Sequence, residues 1–258
     1  MMRKGIDMDA YTGFSKLYDL FMDNIDYEQW GNYLLSLLRE YGVNTGIVLD
    51  MGCGTGTITE FLAGQGYDMI GIDSSYDMLE AASEKKIASG HDILYLNQDM
   101  REFELYGTVA AAVSICDSIN YITEYEDLVK VFKLVNNYLD PEGFFIFDLN
   151  MEANFKKIKD NTIAENREEG SFIWENTYYE DDCINEYALT IFAPCKDGRY
   201  EKFEEIHYER AYSLEEIKAA LKEAGMIFVT SYDAFTRNPP SSDSERIYII
   251  AKEHGKKK

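Results

Sequence analysis

The sequence predicts an α/β fold, an open sheet whose strands alternate with helices and whose carboxyl ends carry a ligand. Three observations lead there. The stretch Gly46 to Thr57 reads GIVLDMGCGTGT: a short apolar strand (Ile47, Val48, Leu49), then Asp50, then Gly52, Gly54 and Gly56 at every second position, then a helix. Later apolar runs of strand length, at 68–72, 93–96, 108–115 and 143–149, alternate with helix-length segments. With 258 residues and 46% apolar side chains, the chain is long enough for one large core with an insertion.

Acidic residues outnumber basic ones 47 to 25, a formal net charge of −22. A nucleic-acid binder needs a basic face to neutralise phosphates. The basic run here is Lys256-Lys257-Lys258, which reads as a solvated tail, so no nucleic-acid partner is expected. The acidity keeps a protein soluble, or draws a cationic substrate. Cysteines 53, 116, 183 and 195 include no C-x-x-C pair and read as free thiols of a cytoplasmic protein. No run approaches a membrane span and no signal peptide is visible, so no membrane partner is expected. No set of His, Cys and acid residues has metal-ligand spacing, and no Ser-His-Asp arrangement can be argued.

Glycines at 52, 54 and 56 can take positive φ and let a ligand approach bare backbone. The helix over Thr57 to Gln65 aims its first N–H groups into the same space. Dinucleotide sites and S-adenosylmethionine (SAM) sites both use such a turn. The dinucleotide fingerprint is G-x-G-x-x-G; here the spacing is G-x-G-x-G, and Thr57 holds the place of the third glycine. Asp50 at the strand end would repel a pyrophosphate and suits a cationic ammonium or sulfonium. Spacing and charge together argue against a nicotinamide oxidoreductase.

Val48 to Gly56, VLDMGCGTG, closely resembles motif I of the class I SAM-dependent methyltransferases. The resemblance covers about residues 11 to 252. It implies SAM as cofactor, S-adenosylhomocysteine as product, and a Rossmann-like seven-stranded mixed sheet in the order 3-2-1-4-5-7-6, its seventh strand antiparallel. It assigns Asp50, Gly52, Cys53, Gly54 and Gly56 to the cofactor.

In chain order, residues 1–44 are expected to form an N-terminal helical cap. Tyr11, Phe14, Tyr18, Phe21 and Met22 recur at helical spacing, and a second helix spans about Tyr27 to Tyr41 with Trp30, Tyr33, Leu34, Leu37 and Leu38 on one side. Plain packing on the sheet explains this pattern, and so does a lid. The segment YDLFMDNIDYEQW resembles the cap of small-molecule N-methyltransferases, including aminosugar N,N-dimethyltransferases and glycine-N-methyltransferase-like enzymes. That resemblance brings Tyr18 to the cofactor and Tyr11 to the reacting groups.

The second strand, Asp68 to Ile72, ends in Asp73, and a helix follows over Ser75 to Ala88. An acid there can accept both ribose hydroxyls, as the resemblance implies, or cap the helix with Ser74 and Ser75 nearby. Ser74 joins it as a cofactor residue. Met78 fits against adenine or in the core. After the strand Ile93 to Leu96, the resemblance gives Asp99 the adenine amine and Met100 a backbone N–H to the ring. The run Thr108 to Ile115 is almost wholly apolar, as in a central strand. It opens into Cys116-Asp117-Ser118-Ile119-Asn120-Tyr121, where family resemblance joins cofactor to substrate. Cys116 is expected against SAM by its backbone; Ser118, Asn120 and Tyr121 are expected to line the acceptor pocket. Asp117 reads as a base, an ammonium holder, or a cap of the next turn. A helix from Glu124 to Tyr138 stops at Asp140-Pro141-Glu142-Gly143, before the fifth strand.

The expected core is residues 45–150 with 212–253. Between them, 151–211 alternates over Ser171–Tyr179, Ile184–Phe192 and Tyr200–Tyr208, separated by turn signals. This reads as an antiparallel insertion over the active-site edge. Period two puts His207 on one face with Phe203, Glu205 and Glu209, either as a half-exposed strand residue or as a general base. Asn238-Pro239-Pro240-Ser241 imitates the motif of nucleic-acid amino methyltransferases, but lies about 120 residues too late and lacks the aromatic, so it reads as a rigid turn. Ser213 and Glu216 mark a helix start, Gly225 its end, and strands near Met226–Phe235 and Arg246–Lys252 close the domain.

The expectation is a SAM-dependent methyltransferase acting on a small-molecule acceptor at nitrogen. A sulfonium already supplies the leaving group, so the protein must align acceptor, methyl and sulfur and exclude water. The scarcity of bases favours an amine. An RNA or protein methyltransferase, and a SAM-binding protein without turnover, are the other readings.

Overall fold

A computed structural model describes residues 26–195 and 197–256. Tyr11 and Tyr18, and with them the first expected cap helix, lie outside the described residues.

The first described helix, α1 (Tyr27–Glu40), starts at Asp26, whose carboxylate accepts the Gln29 N–H at 2.9 Å. Its apolar stripe of Tyr33, Leu34, Leu37 and Leu38 is buried. It packs with Val48, Ile146 and Tyr248 on one face of a sheet. The chain then alternates: β1 (Ile47–Met51), α2 (Thr57–Gly64), β2 (Asp68–Asp73), α3 (Tyr76–Ser89), β3 (Ile93–Asn97), β4 (Val109–Ser114). A single 3₁₀ turn (Ser118–Tyr121) leads to α4 (Tyr125–Tyr138) and β5 (Leu139–Asn150). After α5 (Glu152–Ile158) come four strands, β6 (Thr162–Asn166), β7 (Ser171–Tyr179), β8 (Ile184–Pro194) and β9 (Tyr200–Arg210). Then α6 (Leu214–Glu223), β10 (Ile227–Asp233) and β11 (Arg246–Lys252) return to the main sheet.

The main sheet has seven strands in the order β10-β11-β5-β4-β1-β2-β3. Numbered by core strand alone, that is the expected 3-2-1-4-5-7-6. Strands β1 to β5 pair in parallel, and β11 pairs antiparallel with both β5 and β10. Both faces are covered, by α1 and α2 on one side and by α4 and α6 on the other. This is why β4 is buried almost throughout. Because β11 runs backwards, its first residue, Arg246, sits opposite Asn150 at the carboxyl end of β5. The chain between β10 and β11 is thereby delivered to the same sheet edge as the glycine turn.

Residues 162–210 form a separate antiparallel sheet, β6-β7-β8-β9. Two elements of the segment between β5 and α6 are not legible from the pattern: β6, a five-residue edge strand that is mostly exposed, and the short helix α5 before it. Neither carries enough periodic apolar residues to announce itself. Strand β9 also runs on to Arg210, which carries Glu209 into the ladder opposite Asn185. One face of this sheet meets the core: Phe172, Leu189 and Ile191 close on Met78 of α3.

Near the start of β5, Glu142 takes φ +66°, in the left-handed region that favours glycine. Its N–H donates to the Glu253 carboxylate at 2.7 Å, which holds the turn.

Ile191 is fully buried where the second sheet meets α3. Ile191→Ala should lower unfolding free energy by about 2–4 kcal/mol, read by urea denaturation. A loss below about 0.5 kcal/mol would show that this contact does not hold the sheet to the core.

Candidate active site

The site begins with the glycine turn. The Gly52 and Cys53 N–H groups both donate to the Ile72 carbonyl, at 2.9 and 3.0 Å, and so tie the turn to the end of β2. Gly52, Gly54 and Gly56 have φ of +70°, +53° and +75°. A Cβ at Gly52 would strike Ser118, and one at Gly56 would strike Tyr95 and Ala82; one at Gly54 would meet nothing within 4 Å. Two of the glycines are thus set by close packing, and the third leaves backbone open to the cleft.

Asp73 stands at the end of β2 with both carboxylate oxygens on backbone amides: Gly54 N–H at 2.9 Å and Ser75 N–H at 2.8 Å. The helix-capping job falls to Ser75, whose hydroxyl accepts the Met78 N–H at 3.3 Å. The Ser74 carbonyl is held by the Asn97 amide at 2.9 Å. Burial raises the Asp73 carboxyl, and the three backbone amides around it pull the other way.

Asp50 differs from expectation. Rather than projecting into the cleft, its carboxylate lies beneath the turn, 2% exposed, and accepts the Thr59 hydroxyl of α2 at 2.6 Å. Burial pushes it up to about 6, opposed by the Thr59 bond and reinforced by Asp73. Cys53 is held neutral by burial.

The two residues expected at adenine, Asp99 and Met100, lie in the loop after β3. Arg101 grips both oxygens of Asp99 and holds its carboxyl below the usual range. An adenine amine would share that carboxylate with Arg101. Met100 is half-buried against the core, its methyl beside Gly52. Met78 is buried beneath Phe172, Leu189 and Ile191 of the second sheet.

At the end of β4, Cys116 and Asp117 both take φ +59°, two consecutive non-glycine residues in the left-handed region. Their surroundings fix them there. The Asp117 N–H donates to Asp148 at 3.0 Å. Arg246 then binds both carboxylates, Asp117 at 2.8 Å and the fully buried Asp148 at 2.5 Å. Trp30 of α1 lies over the guanidinium, 4.8 Å from the ring centroid. Burial works against the Arg246 charge, and the two carboxylates outweigh it. Asp148 is pushed up to about 6 by burial, although Arg246 pulls it down.

A third carboxyl, Glu209 of β9, is 1% exposed and close enough to Asp117 to feel its charge. It also receives Tyr187 Oη and Asn150 Nδ2, both at 3.4 Å. Burial, then Asp117, raises it well above the carboxylate range.

Ser118 donates to the Gly52 and Ile115 carbonyls, at 3.3 and 3.0 Å, and locks the turn after β4 to the glycine turn. Asn120 is a correction to the expected pocket lining. It is fully buried, and its amide joins β5 to β9: Nδ2 donates to the Asn150 and Arg210 carbonyls, and Oδ1 accepts the Asn150 N–H. Tyr121 is exposed, with its ring edge-on to His207 at 5.9 Å. His207 Nε2 in turn meets the buried Glu205 at 2.9 Å. A cavity of about 500 Å³ lies between the end of β5 and the loop before β11, with Asn150, Asn154, Asp233, Phe235, Ser244 and Arg246 in its wall; Ser118, Tyr121 and His207 do not line it.

The sequence reading missed Arg246, Asp148, Trp30 and the role of Glu209. An acid inside FFIFDLN and an arginine opening the last strand were the available signals. Charges inside apolar strands are rarely buried unpaired.

Three comparisons bear on this geometry. A family model described as "Methyltransferase domain" matches residues 48–143. The chain is similar to YqeM of Bacillus subtilis (strain 168), a protein named as a candidate methyltransferase: 35% identical over 243 residues, 93% of this chain and 96% of that one. It resembles the crystal structure of a SAM-dependent methyltransferase from Clostridium acetobutylicum ATCC 824, with TM-score 0.83 and 29% identity, covering 95% of this chain and 99% of that one. A more distant relative is the dTDP-3-amino-3,4,6-trideoxy-alpha-D-glucopyranose N,N-dimethyltransferase of Streptomyces venezuelae, 29% identical over 134 residues, 51% of this chain and 55% of that one.

Asn120→Ala should cost about 2–4 kcal/mol in denaturant unfolding, because it strands one buried N–H and two carbonyls. For Asp50, a carboxyl raised to about 6 in the fold favours the protonated state. Its contribution, roughly 3 kcal/mol, is present below the ordinary carboxyl value and is lost as pH rises through about 6. Asp50→Asn should flatten the stability–pH profile between about pH 4 and 6; an unchanged slope would assign it elsewhere.

Proposed function

The chain belongs to the SAM-dependent methyltransferases, and from that premise we propose that it methylates a small molecule at nitrogen. The observation that carries this reading is the turn after β4. It is anchored to the glycine turn through Ser118 and Gly52. It also carries a partly exposed acid, Asp117, and the exposed Tyr121 ring, which meets His207 of β9 in the second sheet. An acid at that point suits an amine, which arrives as an ammonium and must lose a proton before attack. The aminosugar N-methyltransferase among the relatives supports the same class. A formal charge of −22 disfavours RNA as acceptor.

Bound SAM supplies an activated methyl group on a sulfonium leaving group. Gly54 presents open backbone for it, Asp73 the acceptors for its ribose hydroxyls, and Asp99 with Met100 the edge for its adenine. Asp117 receives the acceptor amine. Tyr121 and His207, oriented by Glu205, wall the acceptor side. With the leaving group built into the donor, the protein contributes alignment and exclusion of water. Four free thiols among the described residues fit a cytoplasmic setting.

The test is a screen with isotopically labelled SAM against amines, amino sugars, phenols, carboxylates and RNA, with S-adenosylhomocysteine formation as readout. Turnover with an amine supports the reading; turnover confined to oxygen acceptors or RNA sinks it. In binding assays, Asp73→Ala should raise the SAM dissociation constant at least about tenfold, through loss of hydrogen bonds to a charged acceptor. Unchanged affinity would remove Asp73 from the ribose.

A further inference from the structure

The cavity of about 500 Å³ between the end of β5 and the loop before β11 has the size of a small-molecule site. It lies at the carboxyl edge of the sheet, where open α/β folds take their ligands. Arg246 belongs both to its wall and to the bridge with Asp117, so the cavity and the turn after β4 share one side chain. The wall also carries polar groups that the fold leaves unused. Asn150 is 4% exposed; its Nδ2 donates to Glu209, and its Oδ1 accepts no hydrogen bond among the described residues. Two half-buried wall side chains, Asp233 and Asn154, make no hydrogen bond or ion pair among the described residues. Buried polar atoms are ordinarily paired, so these point to a partner that the cavity admits.

The rest of the wall is set in advance. In the loop before β11, the Ser241 N–H donates to Ser244 Oγ at 3.0 Å and the Asp243 N–H to Ser241 Oγ at 3.2 Å. Phe235 supplies apolar surface, held at φ +60° with its ring edge-on to Trp30 and Tyr33 at 5.3 and 5.6 Å. Charge then decides what fits. The carboxylates of the wall are Asp233, Asp243 and Glu245, the last paired with Lys157 at 2.7 Å. Among the described wall residues the one cation is Arg246, already held by Asp117 and Asp148. A phosphate needs cationic donors that are free to bind it. Carboxylates only accept hydrogen bonds, and they repel an anion.

We propose that this cavity holds the body of the acceptor and selects a hydroxylated amine that carries no phosphate. The proposal rests on the amine reading, with the reacting nitrogen at Asp117, and specifies the remainder of the molecule. Its hydroxyls donate to Asp233 and to Asn150 Oδ1, and its carbon skeleton lies against Phe235. Phosphorylated and nucleotide-linked amines are turned away by the acidic wall.

The test needs no turnover. The protein is saturated with S-adenosylhomocysteine and titrated calorimetrically with two matched pairs, ethanolamine against phosphoethanolamine and glucosamine against its phosphate ester. The free amines are expected to bind at least about tenfold more tightly than their phosphates. Asp233→Asn should weaken them about tenfold, through loss of an ionised acceptor. Asn154→Trp fills the cavity and should abolish amine binding. Unchanged S-adenosylhomocysteine affinity in both variants certifies the fold. A phosphate ester that binds as tightly as its free amine, no saturable binding of either free amine, or native affinity in Asp233→Asn overturns the proposal. Amines that bind but gain no methyl group in the labelled-SAM screen would remove the nitrogen reading and leave the preference of the cavity standing. An amine methylated at the native rate by Asn154→Trp would keep that reading and overturn the cavity as its pocket.

Discussion

The bridge from Arg246 to Asp117 and Asp148 is the interaction on which the rest of this site depends. It ties the first residue of β11 to the turn after β4 and to Asp148 near the end of β5, side-chain bonds added to the backbone ladders that pair β4 with β5 and β5 with β11. It also holds Cys116 and Asp117 in a backbone conformation that costs of order 1–3 kcal/mol per residue. Without the bridge the turn has no reason to stay strained, and Ser118 would lose its hold on the glycine turn. Removing a single partner would leave an uncompensated charge in a dry place, which is worse than removing the set.

Much of the fold was legible because it is written in local terms. Gly52, Gly54 and Gly56 announce a turn that needs positive φ; the apolar run into Ser114 announces a buried strand; Ser213 and Glu216 announce a capping box, which forms. The sheet order follows from family resemblance and agrees with the structure. What was not legible depends on partners distant in sequence. Asp50 reads as an exposed acid until Thr59 is seen to take its carboxylate. Asn120 reads as a pocket residue until Asn150 and Arg210 are seen on either side. Asp99 reads as free to meet a ligand until Arg101 is seen to grip it. A sequence pattern gives the type of each polar group and leaves open which neighbour satisfies it.

The second sheet illustrates the same division. Its three long strands follow from strict alternation, while its function follows from register. Trp174, Leu189 and Glu205 lie in one row, Asn176, Tyr187 and His207 in the next, Tyr178, Asn185 and Glu209 in the third. The face grades from an apolar end on Met78 to a polar end on Asp117. A slip of one residue would turn every one of these side chains outward. Register is therefore as much a determinant of the site as the identity of any residue in it.

The reversed strand β11 has a consequence for the order in which the molecule comes into being. Synthesis is vectorial, and the glycine turn, Asp73, Asp117 and Asp148 all leave the ribosome well before Arg246. During that interval the nascent chain carries its buried acids without their counter-ion, and β5 presents an unpaired edge where β11 will later sit. The cofactor side can assemble from early, nearby contacts. The turn after β4 waits for a strand that must slot between two others already made. The bridge that holds the turn after β4 is therefore one of the last contacts the chain can make.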